Sequence, residues 1–294
     1  MIRSSFGRRA GLGLAGAVLI ALATPVVASA AGKGPAVWAH RGGSYVNGKA
    51  KYPENTLPAF EAAAKAGFAL EFDVVLTKDL VPLVIHDEEL DRTTPCTGKV
   101  RDKTYAEIKA KCKTDVLGSP EGPLDKASKK TKPSVSLPTL AEVLKVAKQH
   151  EVLAAPELKE FDTTGESARV LAKGIKASKI GTKNVVVQSF LPPMIANIKG
   201  DLPGVPTSQL TITEPFSALP IAIDGKATWV SPQFVDAIDA SYVSKAHAAG
   251  LKVAPYTLDA KAQVKRAKTL TVEALITDDP YMARKALGQK APKR

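Results

Sequence analysis

The sequence predicts an α/β protein with a (β/α)8 TIM-barrel fold and a small insertion after the second strand. Eight short β-type runs recur along the chain, and most are continuous and apolar, which is typical of strands buried on both faces of a parallel sheet. Helical segments lie between most of these runs. The repeat extends over about 260 residues, which matches the usual length of such a barrel. An open, doubly wound sheet is the alternative fold with the same alternation.

The predicted strands and helices follow one another in a regular order. The predicted strands are residues 36–39, 69–76, 152–158, 185–190, 207–212, 228–231, 252–257 and 274–277. A helix is predicted over residues 57–66, and Thr139 and Glu142 form a capping-box pattern at the start of another. Further helices are predicted over residues 168–180, 241–249, 260–268 and 281–287. In a barrel of this kind, the chemistry is expected on the loops at the carboxyl ends of the strands.

Residues 88–137 interrupt the repeat and are predicted to form a surface insertion, either a lid over a site or a solvated loop. The segment is rich in proline, glycine and lysine and holds the only two cysteines, Cys96 and Cys112. In an oxidising compartment, such a pair in an otherwise cysteine-free chain indicates one disulfide. Two buried free thiols are the alternative. A zinc site is not expected, because neither a C-x-x-C spacing nor a neighbouring histidine completes a ligand set.

The first 30 residues have the layout of a secretory signal peptide. A short basic start with Arg3, Arg8 and Arg9 precedes an uncharged apolar stretch, and Ala28-Ser29-Ala30 offers a small-x-small cleavage site. Residues 31–290 are expected to form the barrel domain, with no further apolar run of the roughly 20 residues that a membrane span needs. We therefore expect a secreted or extracytoplasmic protein, with an uncleaved membrane anchor as the alternative.

The composition is that of a globular chain with an excess of basic residues. Apolar residues make up 45% and charged residues 24% of the 294 positions, which argues against a disordered, collagen-like or coiled-coil chain. The formal net charge is +12. Such an excess either solvates the surface or favours an anionic substrate, cell wall or membrane surface. Nucleic-acid binding is not expected, because only 5% of residues are aromatic and no basic–aromatic recognition module is present.

Acidic residues interrupt two predicted strands near their carboxyl ends. Glu71 and Asp73 are two positions apart on the second strand, so their side chains leave the same face with Cα atoms about 6.5–7 Å apart. Two close carboxylates repel each other unless a cation or a proton intervenes. Glu157, on the third strand, is expected to meet them at the barrel mouth. The set favours one hard divalent cation, Ca²⁺ or Mg²⁺, since both prefer oxygen ligands.

Two of the four histidines, His40 and His86, lie at predicted strand ends. Two imidazoles that flank one anion are able to serve as general acid and general base near neutral pH. Arg41 and Lys159 offer positive charge to an anionic substrate, and an arginine is able to bind two phosphate oxygens at once. The other two histidines are expected to be surface residues in or after helices.

Five motifs, in this order along the chain, resemble those of the glycerophosphodiester phosphodiesterase family, whose members are phospholipase-C-like TIM barrels. The motifs are His40-Arg41-Gly42, Pro53-Glu54-Asn55-Thr56, Glu71-x-Asp73, His86-Asp87 and Glu157-x-Lys159. Weaker similarities follow at Leu137-Pro138-Thr139-Leu140, Gln188-Ser189-Phe190 and Thr277-Asp278-Asp279-Pro280. No single motif is decisive, but five in order at strand ends form a specific pattern over residues 36–282.

The resemblance implies an enzyme that hydrolyses small-molecule glycerophosphodiesters to glycerol 3-phosphate and an alcohol. The implied roles are acid–base catalysis for His40 and His86, binding of a divalent cation for Glu71, Asp73 and Glu157, and substrate binding for Arg41, Asn55, Lys159 and Tyr256. The activated nucleophile is either water or a glycerol hydroxyl, the latter giving a cyclic phosphate first. Two alternatives remain open: a related barrel phospholipase of the D or phosphoinositide-specific C type, and a non-catalytic protein that captures phosphate ligands.

The chain departs from the family pattern at two places near the expected barrel mouth. The loop of residues 44–52 is longer than usual and is expected to alter substrate access. At the seventh strand the family often carries Trp-Thr-x-Asn, whereas this chain has Tyr256-Thr257-Leu258-Asp259. Tyr256 therefore keeps an aromatic wall, while the contact to the glycerol side is changed.

Overall fold

The structure is a computed structural model that describes residues 34–120, 124, 128–160, 162–212 and 215–290; the predicted signal segment lies outside these ranges. The strands are β1 (Ala36–Ala39), β2 (Tyr45–Val46), β3 (Lys49–Ala50), β4 (Ala69–Leu76), β5 (Pro82–Val84), β6 (Lys113–Leu117), β7 (Lys129–Ser136), β8 (Ala154–Leu158), β9 (Val187–Ser189), β10 (Thr207–Thr211), β11 (Trp229–Pro232), β12 (Lys252–Val253) and β13 (Ala274–Thr277). The α-helices are α1 (Leu57–Lys65), α2 (Tyr105–Lys111), α3 (Leu140–Gln149), α4 (Glu166–Ser178), α5 (Pro192–Asp201), α6 (Pro215–Asp224), α7 (Ala240–Ala248), α8 (Lys261–Thr269) and α9 (Pro280–Leu287). Within the described ranges, no helix has both the length and the apolar character required to cross a membrane.

Eight strands run parallel around a barrel, which confirms the predicted fold. Their order is β1, β4, β8, β9, β10, β11, β12 and β13, and β13 pairs in turn with β1. The N–H of Glu273 donates to the carbonyl of Val253 at 3.1 Å, and the N–H of Ile276 donates to the carbonyl of Pro255 at 2.9 Å. These bonds connect β13 to the segment of β12 and close the ring. The open doubly wound sheet is therefore wrong.

The core has one layer between the sheet and the helices and another inside the barrel. In the outer layer, Phe60 of α1 packs edge-on against Phe72 of β4 with ring centroids 5.7 Å apart. Inside the barrel, the rings of Trp38 and Trp229 lie 5.2 Å apart between centroids. Both indoles are buried, so the lower part of the lumen is filled by side chains, as is usual for this fold.

On β1 and β8 the inward-facing positions change from apolar to polar towards the carboxyl end of the strand. On β1 the inward side chain Trp38 is followed two residues later by His40. On β8 the inward Ala155 is followed by Glu157 and then Lys159. The period of two along a strand thus places polar side chains at one end of the barrel, above an apolar plug.

The predicted insertion is a folded unit rather than an irregular loop. Between β5 and α3 the chain forms a 3₁₀-helix (Val100–Asp102), α2 and an antiparallel pair of strands, β6 and β7. A second, small core joins the insertion to β4 and β5 and consists of Val75, Leu83, Ile85, Leu90, Val100, Ile108, Cys112 and Leu137. The disulfide between Cys96 and Cys112 is present, with Cα atoms 5.4 Å apart. The expectation of a solvated loop is wrong because the apolar residues of this core are spread over segments too short to show a period.

Besides α2 in the insertion, two helices of the barrel, α5 and α6, lie where the sequence pattern predicts no helix. Helix α5 begins with Pro192 and Pro193, and α6 contains Pro220. Proline is well tolerated in the first turn, where its missing N–H has no helical acceptor, but an internal proline obscures a helical pattern. The predicted strand over residues 252–257 is shorter in the structure, since Pro255 has no N–H to donate to a neighbouring strand.

Candidate active site

The side chains to which the sequence assigns chemistry converge at the carboxyl end of the barrel. A cavity of about 110 Å³ is lined by His40, Arg41, Glu71, His86, Glu157, Lys159, Phe190, Leu210, Tyr256, Thr257 and Ile276. The remaining predicted residues, Asn55 and Asp73, are buried directly behind this lining and bond to each other. The structure therefore brings the whole predicted set into one place, although their roles stay predictions.

Glu71, Asp73 and Glu157 form a buried acidic triad. Each offers a carboxylate oxygen within 4.8 Å of the others. Asp73 and Glu157 are register partners on the paired strands β4 and β8, which explains their closeness. Burial and the charge of Asp73 raise the pKa of both glutamates, because a second and third negative charge are unfavourable there.

The donor set of the triad fits a divalent cation. The Oδ1 atoms of Asp73 and Asn55 are buried acceptors that receive no hydrogen bond from the described part of the chain. A buried acceptor without a donor is costly unless a cation or water satisfies it. The amide of Asn55 donates to the other oxygen of Asp73 at 2.9 Å and thereby fixes the orientation of that carboxylate. Oxygen-only ligands of this kind suit Ca²⁺ or Mg²⁺.

Arg41 links the first strand to the acidic triad. Its backbone is in the left-handed region at φ 51°, and its N–H donates to Oε2 of Glu71 at 2.9 Å. Its guanidinium donates to Glu54 at 3.2 Å and lies 3.7 Å from Asp73. Gly43, two residues later, has no room for a side chain, because a Cβ there would lie 2.6 Å from Cγ of Pro280. The turn thus holds Arg41 in contact with Glu54, Glu71 and Asp73 at the edge of the cavity.

His40 is held through Nδ1 by Asp278, at 2.8 Å from Oδ1. Burial alone would lower the pKa of His40, but the negative charges of Asp278 and Glu71 outweigh it and raise the pKa to about 9. Asp278 is fixed in turn, because its N–H donates to Oδ1 of Asp259 at 2.8 Å. Asp278 is a further site residue that was not predicted, since the sequence indicates it only through the weak similarity at Thr277-Asp278-Asp279-Pro280.

His86 follows β5 and contacts two charged groups. Its Nδ1 lies 2.6 Å from Oδ1 of Asp87, and its Nε2 lies 3.0 Å from Nζ of Lys159. An ammonium group has only donors, so Nε2 accepts and the ring hydrogen is on Nδ1, facing Asp87. Burial opposes the charge of Lys159, but Asp73 and Glu157 outweigh it and raise the pKa of this lysine. Lys159 Nζ is 3.3 Å from Glu157.

A second group of charged residues, Glu54, Asp87 and Arg92, connects Arg41 to His86, and the sequence assigns no role to any of the three. Glu54 is 3% exposed and accepts hydrogen bonds from both Arg41 and Arg92. Burial opposes its ionisation, but these two arginines outweigh it and lower the pKa of Glu54 to about 2. Arg92 also donates to Asp87. Glu54 is part of one of the five motifs. Arg92 lies in the insertion, in none of the motifs, so the sequence pattern does not connect it to the site.

Two larger cavities flank the central one. The cavity on the His86 side has about 510 Å³ and is lined by His86, Asp87, Glu88, Glu89, Asp91, Arg92, Lys99 and Lys159. The cavity on the His40 side has about 310 Å³ and is lined by His40, Arg41, Gln233, Phe234, Val235, Tyr256, Thr257, Asp259, Gln263 and Asp278. Tyr256 donates through its hydroxyl to the carbonyl of Thr211 at 2.9 Å and packs edge-on against Phe190. It therefore presents a fixed aromatic wall between two cavities.

Comparisons with known proteins agree with this geometry. The model of the glycerophosphoryl diester phosphodiesterase family matches residues 40–282. A glycerophosphodiester phosphodiesterase from Bacillus altitudinis is 32% identical over 255 residues, covering 84% of this chain and 96% of the relative. One from Bacillus subtilis (strain 168) is 31% identical over 259 residues, covering 84% of each chain.

Solved structures show the same fold. A glycerophosphodiester phosphodiesterase from Parabacteroides distasonis has a TM-score of 0.67 at 25% identity, covering 87% of this chain and 98% of that one. A phosphodiesterase from Oleispira antarctica, in complex with the product sn-glycerol-3-phosphate, has a TM-score of 0.70 at 24% identity, covering 87% of this chain and 97% of that one. The chain belongs to the glycerophosphoryl diester phosphodiesterase family.

Proposed function

We propose that the protein hydrolyses small-molecule glycerophosphodiesters and releases glycerol 3-phosphate and an alcohol. One observation carries this proposal: His40 and His86 border the same small cavity, and a carboxylate holds each ring through Nδ1. Cleavage of a phosphodiester requires one group that gives a proton and another that takes one. A protein that only captures phosphate ligands needs no such pair. The family to which the chain belongs supports the substrate class.

The surroundings of the two histidines suit them to opposite roles. The carboxylates of Asp278 and Glu71 keep His40 protonated, so its Nε2 is able to donate a proton to the leaving alkoxide. Nε2 of His86 has a lone pair, which accepts from Lys159 in this structure. When Lys159 turns to the phosphate, that lone pair is able to take the proton of the nucleophile. The nucleophile is water, or a glycerol hydroxyl if a cyclic phosphate forms first.

Arg41 and Lys159 supply the positive charge that the phosphate requires. Both line the central cavity. Arg41 is also the residue whose N–H and guanidinium bond the surrounding acids, so its position is fixed before substrate binds. Such preorganised charge stabilises the negative charge that develops on the phosphoryl oxygens. Tyr256 offers its ring to the carbon chain of the substrate.

Glu71, Asp73 and Glu157 would hold one divalent cation, Ca²⁺ or Mg²⁺. When bound, such an ion neutralises charge on phosphoryl oxygens as a Lewis acid. The rest of the chain fixes the ligands: Asn55 donates to Asp73, the backbone of Arg41 donates to Glu71 at 2.9 Å, and Gln188 donates to Glu71 at 3.4 Å. These donors orient the carboxylates for a shared ligand.

We also propose that the protein acts outside the cytoplasm. The disulfide between Cys96 and Cys112 supports this, because structural disulfides persist in oxidising compartments and are rare in the cytosol. The basic and apolar start of the sequence supports it independently. Expression with residues 1–30 fused to a reporter, followed by N-terminal sequencing of the exported product, tests this. Retention of the reporter in the cytoplasm would contradict it.

Cleavage of intact phospholipid is the second candidate function. Ile212 and Val235 follow β10 and β11 at the barrel mouth and are 59% and 40% exposed, so they give the mouth an apolar rim. An apolar rim favours contact with a lipid surface. Headgroup release from phospholipid vesicles would support this candidate, and activity restricted to water-soluble diesters would exclude it.

A panel of substrates with measured release of glycerol 3-phosphate tests the proposed function. The wild-type protein is expected to release it from at least one glycerophosphodiester, while His40→Ala and His86→Ala are expected to lose turnover and remain folded. His150→Ala is the matched control, since His150 bonds Glu61 on the outside of the barrel at 3.0 Å. Full activity of either site variant would contradict the acid–base assignment.

A further inference from the structure

We propose that Arg92, in the insertion, is a positioning residue for turnover: it holds Asp87 against His86 and Glu54 against Arg41, so the insertion is part of the catalytic apparatus. The inference rests on the proposed function, because turnover is its readout. It assigns to the insertion a role other than that of a lid or a solvated loop.

The guanidinium of Arg92 joins two carboxylates that each contact a site residue. Its Nη2 and Nη1 donate to the two oxygens of Glu54 at 2.8 and 3.1 Å. Its Nε donates to Oδ2 of Asp87, and its Nη2 lies 3.2 Å from Oδ1 of Asp87. The guanidinium group is able to bond two carboxylates in this way because its N–H donors lie in one plane and point in different directions. A lysine ammonium is a compact point charge and does not offer this geometry. Arg92 therefore fixes the relative position of Glu54 and Asp87.

Asp87 needs such a support because it is less enclosed than Glu54. The side chain of Asp87 is 26% exposed, whereas that of Glu54 is 3% exposed. A half-exposed carboxylate that makes a single bond to His86 would have several rotamers open to it. Held by Arg92, it keeps the hydrogen of His86 on Nδ1 and leaves the Nε2 lone pair facing the cavity.

The turn that carries Arg92 is fixed to the rest of the insertion. The N–H and the hydroxyl of Thr94 both donate to the carbonyl of Leu90, at 3.2 and 2.8 Å. The N–H of Asp115 in β6 donates to the carbonyl of Thr93 at 3.0 Å. The disulfide at Cys96 follows immediately. The turn is thus bonded on both sides of Arg92, as a rigid support for a site requires.

Arg101 provides a matched control in the same insertion. It also joins the insertion to a barrel carboxylate, with Nε and Nη2 donating to the two oxygens of Glu160 at 2.7 and 3.3 Å. Glu160 accepts from the backbone of Leu76 at 3.1 Å, and among the described residues its hydrogen bonds go to Leu76 and Arg101 rather than to His40 or His86. Loss of Arg101 therefore removes a comparable ion pair without changing the support of His86.

The experiment measures kcat and KM for hydrolysis of glycerophosphocholine, with thermal melting to confirm that each variant is folded. Arg92→Ala is expected to lower kcat about 10- to 100-fold, the range typical for residues that orient a site ligand. Arg101→Ala is expected to keep the wild-type kcat. Arg92→Lys is expected to lie between Arg92→Ala and the wild type, since it restores charge but not the fork. A kcat for Arg92→Ala equal to that of Arg101→Ala would overturn the inference.

A double-mutant cycle with Asp87→Ala tests whether Arg92 acts through Asp87. If it does, Asp87→Ala/Arg92→Ala has nearly the kcat of Asp87→Ala alone, because the contact is already lost. Factors that multiply in the double variant would contradict the route through Asp87 and leave Glu54 as the carboxylate through which Arg92 acts. If Arg92→Ala does not fold, the same cycle is run with Arg92→Lys. A wild-type protein inert towards all glycerophosphodiesters would contradict the proposed function; an active wild type with an equally active Arg92→Ala would contradict this inference alone.

Discussion

Nδ1 of His40 lies 2.8 Å from Oδ1 of Asp278, although 238 residues separate the two in the chain. Closure of the barrel explains this contact, because β13 pairs with β1 and their carboxyl ends lie side by side. The carboxylate fixes the ring orientation of His40 and places its remaining nitrogen towards the cavity. His86 and Asp87 repeat the same arrangement within two consecutive residues. Each histidine is therefore held by an aspartate at Nδ1. For His40 the fold brings the aspartate close, and for His86 the aspartate is the next residue in the chain.

Replacing Asp278 with Asn is expected to lower kcat/KM by at least about tenfold, since the amide is able to hold the ring in the wrong tautomer. The negative charge of Asp278 helps to raise the pKa of His40. Without it His40, the proposed acid, deprotonates at lower pH, so the basic limb of the kcat/KM profile is expected to move to lower pH. Asp279→Asn is the control, because Asp279 caps α9 and bonds Met282 at 2.9 Å. An unmoved basic limb in Asp278→Asn would count against His40 as the acid.

Acidification is expected to destabilise the protein through Glu54. The pKa of Glu54 in the folded protein is lowered from 4.5 to about 2, so its stabilising contribution is complete above about pH 5 and is lost as the pH falls towards 2. This shift corresponds to about 3 kcal/mol. The difference in unfolding free energy between wild type and Glu54→Gln is therefore expected to narrow on acidification, as measured by denaturant titration. A difference for Glu54→Gln that stays constant on acidification would refute the assignment.

The disulfide is expected to contribute to stability. It closes a loop with a sequence separation of 16, for which loop-closure entropy gives about 3 kcal/mol. The double variant Cys96→Ala/Cys112→Ala is expected to lose about that much unfolding free energy, and reduced wild type is expected to behave in the same way. Equal stability of oxidised and reduced wild type would show that the disulfide does not support the fold.

Tyr256 is expected to contribute to substrate binding through its ring. Tyr256→Ala is expected to raise KM for the glycerophosphodiester about tenfold, because an aromatic contact contributes about 1 kcal/mol beyond its buried area. Tyr256→Phe keeps the ring and loses only the bond to the carbonyl of Thr211, so its KM is expected to stay near wild type. A larger rise for Tyr256→Phe than for Tyr256→Ala would assign the role to the hydroxyl instead.

The fold was largely predictable because most barrel strands are short and apolar, as in β1 and β13. Helices α5 and α6 were not predictable from pattern, since prolines at Pro192 and Pro220 mask their periodicity. The folded structure of the insertion was not predictable for a different reason. Its core joins residues as far apart as Leu83 and Leu137, and such contacts depend on tertiary packing.

The predicted site residues could be found because the barrel places every inward strand end at the same mouth. Glu71 and Asp73 needed only the period of two, and the register of β4 with β8 then supplies Glu157. Their partners could not be found in this way. The bond between Arg92 and Glu54 spans 38 residues, and that between Asp278 and His40 spans 238. Both depend on how the insertion and the last strand pack, which a short motif does not encode.

The central claim is that the acidic triad and the two histidines act together on a phosphodiester. The most direct measurement is release of glycerol 3-phosphate from glycerophosphocholine by the wild-type protein, first with excess chelator and then after addition of Ca²⁺ or Mg²⁺. We predict that release stops with chelator and returns with the cation, since a cation held by Glu71, Asp73 and Glu157 would supply the positive charge that neutralises the phosphoryl oxygens. Undiminished release in excess chelator, or none after the cation is restored, would contradict the account.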